Sequence, residues 1–160
     1  MIRFLEEKDI PGIMPLSKRC YDEMNFDSLG YLFDPVQVEK SYRIGIEGKL
    51  GICIVNKADV IDGIMACSVS DQTWYFTGMK IAIEIIWHVD PLKASAYRLK
   101  TMLKMKDFME VVLANRGIKS LYIAVDARYP VPGKALAHSG YKPVSTFYFK
   151  ELGELCLGEV

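Results

Sequence analysis

The residue types best suited to chemistry gather in one stretch of the chain. Glu84 interrupts the apolar run KIAIEIIWHV (80–89), in which its neighbours from 81 to 87 are all apolar. A carboxylate buried without a partner is costly. Glu84 therefore sits in a surface or structural pair, or it performs a function. His88 is the second ionisable group of the run. Strict strand alternation puts Ala82, Glu84, Ile86 and His88 on one face, and Ile83, Ile85, Trp87 and Val89 on the other. Asp90-Pro91 closes the run. Lys93, Ala94, Ser95, Ala96, Tyr97 and Arg98 follow, small residues flanked by cations where a long helical pattern begins. Ser95 at that point is a natural helix N-cap.

The elements that must position these residues are legible along the chain. Residues 1–5 read as a strand. Residues 6–24 read as a helix, with Asp9 and Pro11 at its start and Ile10, Ile13, Met14, Leu16 and Tyr21 as its buried face. Residues 25–34 read as a loop that carries Phe26, Leu29, Tyr31, Leu32 and Phe33, so it either lines a pocket or packs over the core. A second helix begins at Pro35 and runs to about Gly45. Residues 50–56 and 60–70 form a hairpin that turns at Lys57-Ala58-Asp59, and 73–77 extend its second strand or cap the next loop. Residues 80–89 are the clearest strand, rich in β-branched and aromatic side chains. A long helix spans about 96–116, with Leu99, Met102, Leu103, Met109, Val112 and Leu113 on one apolar face. Its methionines read as core filler, and Gly117 as a left-handed C-cap. Residues 121–125 form a buried strand, 132–138 a short helix closed by Gly140, and 144–149 a final strand. The order β-α-α-β-β-β-α-β-α-β describes one mixed α/β domain over residues 1–160.

Composition removes several classes of function. The 160 residues carry 20 Lys+Arg against 20 Asp+Glu. Nucleic-acid binding usually rests on a basic excess, so this balance argues against such a partner. No run approaches ~20 apolar residues, so no membrane partner is expected. The first nine residues lack the order of a signal peptide, which implies a cytoplasmic protein. The four cysteines (Cys20, Cys53, Cys67, Cys156) are scattered, and the histidines are only His88 and His138. A zinc or multi-His centre needs clustered ligands, so no metal is expected. Cys53 and Cys67 read as small core residues.

The element order, with an apolar fourth strand feeding a long helix, resembles the GNAT (Gcn5-related N-acetyltransferase) superfamily. Three local pieces carry the likeness. EIIWHVDP (84–91) looks like the family's fourth strand leading to its acetyl-CoA loop. The long helix followed by GIKSLYI (117–123) resembles its third helix and fifth strand. SGYKPV (139–144) followed by FYFKEL (147–152) resembles the ending of short members from bacteria and bacteriophages. Together they cover essentially the whole chain and imply a mixed, mostly antiparallel sheet flanked by helices. The departures are local. The family's Q/R-x-x-G-x-G/A loop reads here Lys93, Ala94, Ser95, Ala96, Tyr97, Arg98, without glycines. The family's catalytic Tyr, four residues before the Gly of its GF/GY pair, is Leu136 here. The ending is compressed into one strand.

The resemblance implies transfer of an acetyl group from acetyl-CoA, as co-substrate, to a primary amine by direct attack. Val89 and the loop residues Lys93, Ala94, Ser95, Ala96, Tyr97 and Arg98 would contact acetyl-CoA. Outward backbone N–H groups at a helix start bind pyrophosphate without particular side chains. Glu84 matches the position of the family's base, so it is the candidate to accept the proton of the amine. His88 lies near the thioester end of the cleft that the family implies, and Tyr129, Tyr141 and His138 are candidate acids. The acceptor is a small molecule or a protein amine, and relatives suggest a homodimer. The alternative is a non-catalytic protein of the same fold that binds CoA or a protein partner.

Overall fold

The computed structural model describes residues 1–55, 58, 60–72, 77–125 and 130–143. The segments Ile2–Phe4 (β1), Gly51–Val55 (β2), Ile61–Gln72 (β3), Thr77–Val89 (β4) and Ser120–Tyr122 (β5) form one sheet in the order β1-β2-β3-β4-β5. The first four strands pair antiparallel, and β5 joins β4 parallel. The helices are Ile10–Met24 (α1), Pro35–Glu47 (α2), Ser95–Asn115 (α3) and Pro130–His138 (α4). The expected α/β class, with its mostly antiparallel sheet and flanking helices, is the fold observed. The final strand expected at 144–149 lies outside the described residues, as do Asn56 at the end of the expected first hairpin strand, Lys57 and Asp59 of its turn, residues 73–76 and Cys156.

Side-chain alternation along β2 and β3 builds a core on each face of the sheet. Leu50, Ile52, Ile54, Met65 and Cys67 point to the α3 side, where they meet Met105, Met109 and Leu113. Cys53, Val55, Ile64 and Ala66 point the other way, against Ile13, Leu16 and Cys20 of α1 and Tyr42 of α2. Cys53 and Cys67 are fully buried small residues, as their apolar runs suggest. The close approach of α2 to the sheet needs a glycine, because a Cβ on Gly45 would stand 3.0 Å from Ala66 Cβ.

Local chemistry fixes the helix ends. The Asp34 carboxylate accepts from the N–H groups of Val36 and Gln37 at 2.9 and 3.2 Å, opening α2 in front of Pro35. Asn25 ends α1 in a left-handed conformation, and Gly117 does the same just beyond α3 at φ +72°. Two expectations about α3 need correction. Ala94, not Ser95, occupies the N-cap position, and it makes no side-chain cap. Of the expected apolar face, Met109 and Leu113 are buried and Met102 and Val112 pack against the same core, but the buried stripe continues through Thr101, Met105 and Lys106 rather than Leu99 and Leu103. Apolar spacing alone does not reveal Lys106, which is buried because Asp107 and Glu110 pair with it at 2.7 and 3.1 Å.

Strand β4 departs from simple alternation at the point that matters most. Ala66 pairs with Ile86, but the next residue, Cys67, pairs with Glu84. Ile85 is therefore an extra residue, a β-bulge. The face assignment inverts across it. Ala82 lies with the α3-side core, whereas Ile86 lies with the α1/α2-side core. Glu84, opposite Cys67, thus belongs to the α3 face, and His88, opposite Ile64, to the α1/α2 face. The single face shared by Glu84 and His88 under strict alternation does not exist. The bulge is set by pairing with β3, which leaves no mark in the run of isoleucines itself.

Candidate functional site at the parting of two strands

The pairing of β4 with β5 is short. It runs only over Ile81–Ser120, Ala82–Leu121 and Ile83–Tyr122, while β4 continues to Val89. The two strands part at Glu84, and the bulge at Ile85 turns β4 at the same place. The Glu84 carboxylate reaches across the start of the parting, where Oε2 accepts the backbone N–H of Ala124 at 3.3 Å. Burial pushes its carboxyl up to about 7, against a smaller opposing effect of that N–H. A carboxylic acid tuned to that range suits proton transfer at neutral pH.

Beyond β4 the chain turns at Asp90-Pro91 into α3. Ala94, Ser95 and Ala96 are small and exposed. Ala94 at the N-cap makes no side-chain cap, so among the described residues none caps the first N–H groups, which face outward for a ligand. Both flanking cations are already partnered. Lys93 Nζ pairs with Asp62 Oδ1 at 3.0 Å, and the Asp62 carboxylate is almost fully buried. Its other oxygen accepts the Tyr97 hydroxyl at 2.7 Å. The hydrogen bond to Asp62 holds the Lys93 ammonium above its ordinary range. Arg98 forms a two-pronged pair with Glu23 of α1, and Arg19 of the same helix grips Asp90 at 2.9 and 3.2 Å. Val89 contributes its side chain to the core rather than to the loop surface, and its carbonyl accepts from Cys20 Sγ at 3.6 Å. The loop fits a diphosphate through its backbone and small residues, while carboxylates balance its two cations.

On the α1/α2 face, His88, Ile85 and Ile86 form one wall of a cavity of about 250 Å³. Tyr21, Phe26, Phe33 and Tyr42 supply its rings, and Ser17, Gln37 and Ser41 its polar groups. The apolar loop at 25–34 thus lines a pocket, one of the two roles open to it from sequence. Burial holds the His88 imidazole down, to about 4, against a smaller opposing effect of Glu23. His88 is therefore neutral at physiological pH, with one ring nitrogen able to accept a hydrogen bond.

The structure thus separates the candidates into three neighbouring places: Glu84 at the parting, the 93–98 loop at the α3 start, and His88 in the pocket. Tyr129 lies outside the described residues. Tyr141 is committed elsewhere, because its hydroxyl donates to Glu110 at 2.7 Å. Burial and that bond push its phenol up. His138 is exposed and bonds the Lys134 carbonyl through Nδ1 at 2.7 Å. Leu136, where the family places a Tyr, is a buried core residue. The sequence reading passes over Asp62, Glu23 and Arg19, which organise the loop. Asp62 carries the same signal as Glu84, an acid inside an apolar strand run.

No family model matches this sequence, and no curated protein matches it. Solved structures do match over nearly the full chain. The chain is similar to the aminoglycoside N-acetyltransferase AAC(6')-Iy in complex with CoA, with TM-score 0.72 and 9% identity, over 95% of this chain and 93% of that one. It is similar to a ribosomal-protein-alanine N-acetyltransferase from Brucella melitensis, with TM-score 0.69 and 10% identity, over 96% and 99%. A predicted acetyltransferase with acetyl-CoA from Clostridium acetobutylicum gives TM-score 0.68 and 11% identity, over 94% and 95%. At these identities the likeness is one of fold. This chain has the fold of the GNAT acetyltransferases.

Proposed function

We propose that this protein is an acetyl-CoA-dependent N-acetyltransferase that moves an acetyl group to a primary amine by direct attack. One observation carries the reading: β4 and β5 part beyond Ile83 and Tyr122, and a carboxyl group with a raised pKa stands at the point of parting. The open start of α3, with Ala94, Ser95 and Ala96, would hold the diphosphate of the co-substrate. Acetyl-CoA supplies an activated acetyl carbonyl: the C–N bond to the amine forms as the C–S bond breaks, and the released thiolate takes a proton from solvent. Glu84 accepts the proton that the amine nitrogen loses, directly or through a water. Its raised pKa makes it a stronger base than an exposed glutamate, while leaving a large fraction ionised at neutral pH. His88 is a weaker base because burial disfavours its cation, and it stands on the sheet face opposite Glu84. No separate acid is required, since a thiol of pKa about 8.5 leaves without one.

The pairing of Lys93 with Asp62 and of Arg98 with Glu23 favours a second reading, a protein of this fold that binds CoA weakly or not at all and does not turn over. Melting with and without acetyl-CoA separates the two, because ligand at ~100 times its Kd stabilises by about 2.7 kcal/mol. No shift at millimolar acetyl-CoA sinks the transferase reading. Given a shift, thiol release over a panel of amines distinguishes turnover from binding alone. Glu84→Gln then lowers the rate while leaving the shift intact, and an unchanged rate removes Glu84 from the proton transfer.

A further inference from the structure

One buried acid stands outside the chemistry assigned so far. Asp62 lies in β3 and is 2% exposed. Its carboxylate reaches the start of α3, where Oδ1 pairs with Lys93 Nζ at 3.0 Å and Oδ2 accepts the Tyr97 hydroxyl at 2.7 Å. These two partners flank Ala94, Ser95 and Ala96 on either side. We infer that Asp62 is a positioning residue for the co-substrate: its single carboxylate clamps both flanks of the bare helix start and keeps the backbone N–H groups between them aimed at the diphosphate. The inference rests on the transferase reading above, because it assigns what holds the diphosphate site of that reaction in shape.

The segment between the flanks has little with which to order itself. Ala94 and Ala96 carry only methyl groups, and Ala94 makes no side-chain cap. Order therefore comes from outside. The backbone adds a second tie at the same place. The Asp62 carbonyl accepts the Asp90 N–H at 2.9 Å, and the Asp90 carbonyl accepts the Lys93 N–H at 3.0 Å. Gly63, the next residue, lets α3 settle onto β3 beside the clamp. A Cβ there would stand 3.2 Å from Thr101 Cγ2 and 3.2 Å from the Met105 methyl carbon. Asp62 and Gly63 together seat the N-terminal half of α3.

Charge balance alone does not account for this arrangement. Masking Lys93 needs one oxygen, yet the other engages an uncharged hydroxyl. An ammonium carries three donors, so Lys93 held by Asp62 can still face a diphosphate. Burying a carboxylate costs desolvation, and here two bonds to one short segment offset it. Donors fixed before binding need no ordering when the ligand arrives, which favours affinity. Glu23 differs, because both its oxygens grip the one side chain of Arg98. The two acids thus act in opposite directions on co-substrate binding: Glu23 withholds a cation, whereas Asp62 shapes the site.

The test is calorimetric titration of wild type, Asp62→Asn and Tyr97→Phe with acetyl-CoA, joined to amide exchange of the three proteins without ligand. Asparagine keeps the volume of Asp62 and removes its charge, and Tyr97→Phe removes only a hydroxyl. Both variants are expected to raise the Kd by about three- to tenfold. Both are also expected to speed exchange at Arg98, whose N–H closes the first turn of α3 on the Ala94 carbonyl at 3.0 Å, by more than at Met109 further along the helix. Simple masking of Lys93 predicts a lower Kd for Asp62→Asn and no change for Tyr97→Phe. Either of those results overturns the inference, as does a raised Kd without faster exchange at Arg98. If Asp62→Asn does not fold, Tyr97→Phe decides alone. Wild-type protein that fails to bind acetyl-CoA overturns the transferase reading and this role together, whereas binding that neither variant weakens overturns this role only.

Discussion

Glu84→Gln offers a test that reads stability and needs no substrate. In the folded protein the Glu84 carboxyl titrates at about 7, against an ordinary value of 4.5. The folded state therefore keeps its proton to higher pH than the unfolded chain does. Stability falls as pH rises through this window and levels off above about 7. The full difference of about 2.5 units, at 1.36 kcal/mol each, corresponds to about 3 kcal/mol. Between about pH 5 and about pH 8 the same linkage leaves about 2.5 kcal/mol. Glutamine is nearly isosteric and does not titrate, so the Glu84→Gln protein lacks this penalty while losing part of the acceptor strength toward Ala124. Urea denaturation of both proteins at the two pH values gives the comparison. The advantage of Glu84→Gln over wild type is expected to grow by about 2.5 kcal/mol from the lower to the higher pH. A difference that does not change with pH refutes the claim that burial holds Glu84 at a raised pKa, and with it the argument for a tuned base.

Further outcomes follow from the same structure. His88 shows the opposite linkage: its folded pKa lies at about 4 against an ordinary 6.5, so the unfolded chain protonates first and stability is lost as pH falls through that interval. His88→Gln should flatten the acid limb of the stability profile, as read by denaturation between about pH 6.5 and about pH 5. Glu23→Gln releases Arg98 toward a bound diphosphate, and calorimetric titration should show acetyl-CoA bound roughly two- to fivefold more tightly at low salt, a gain of about 0.4–1 kcal/mol that added salt erodes. Gly45→Ala, normally favourable in a helix, should instead destabilise by about 1–3 kcal/mol in urea because its Cβ meets Ala66 at 3.0 Å. Met109→Ala, at a fully buried position under the sheet, should cost about 2–5 kcal/mol by the same measurement.

The parts of the fold that follow from local chemistry are visible in the sequence. Asp34-Pro35, the β-branched run ending at Asp90-Pro91, and Gly117 mark element ends through capping, strand propensity and a left-handed backbone, all properties of a few adjacent residues. The importance of Glu84 is legible for a similar reason: an acid inside an apolar strand announces a cost that something must offset. The bulge at Ile85 is not legible, because it arises from the register between β3 and β4 and from no feature of β4 alone. That hidden residue is why alternation places Glu84 and His88 together while the structure puts them on opposite faces. Similarly, Lys93 and Arg98 look like free cations in sequence. Their partners, Asp62 and Glu23, lie 31 and 75 positions away and are brought to them only by the packing of β3 and α1 around the start of α3. The cavity is half legible. The apolar loop at 25–34 signals it, but its polar side comes from α1, α2 and β4.

The central claim, transfer of an acetyl group to an amine at the parting of β4 and β5, is tested most directly by following thiol release from acetyl-CoA with and without a primary amine such as 2-phenylethylamine. The account predicts saturable, amine-dependent release matched by N-acetylated product, and a markedly lower rate in Glu84→Gln. Saturable binding of acetyl-CoA with no amine-dependent release would contradict it.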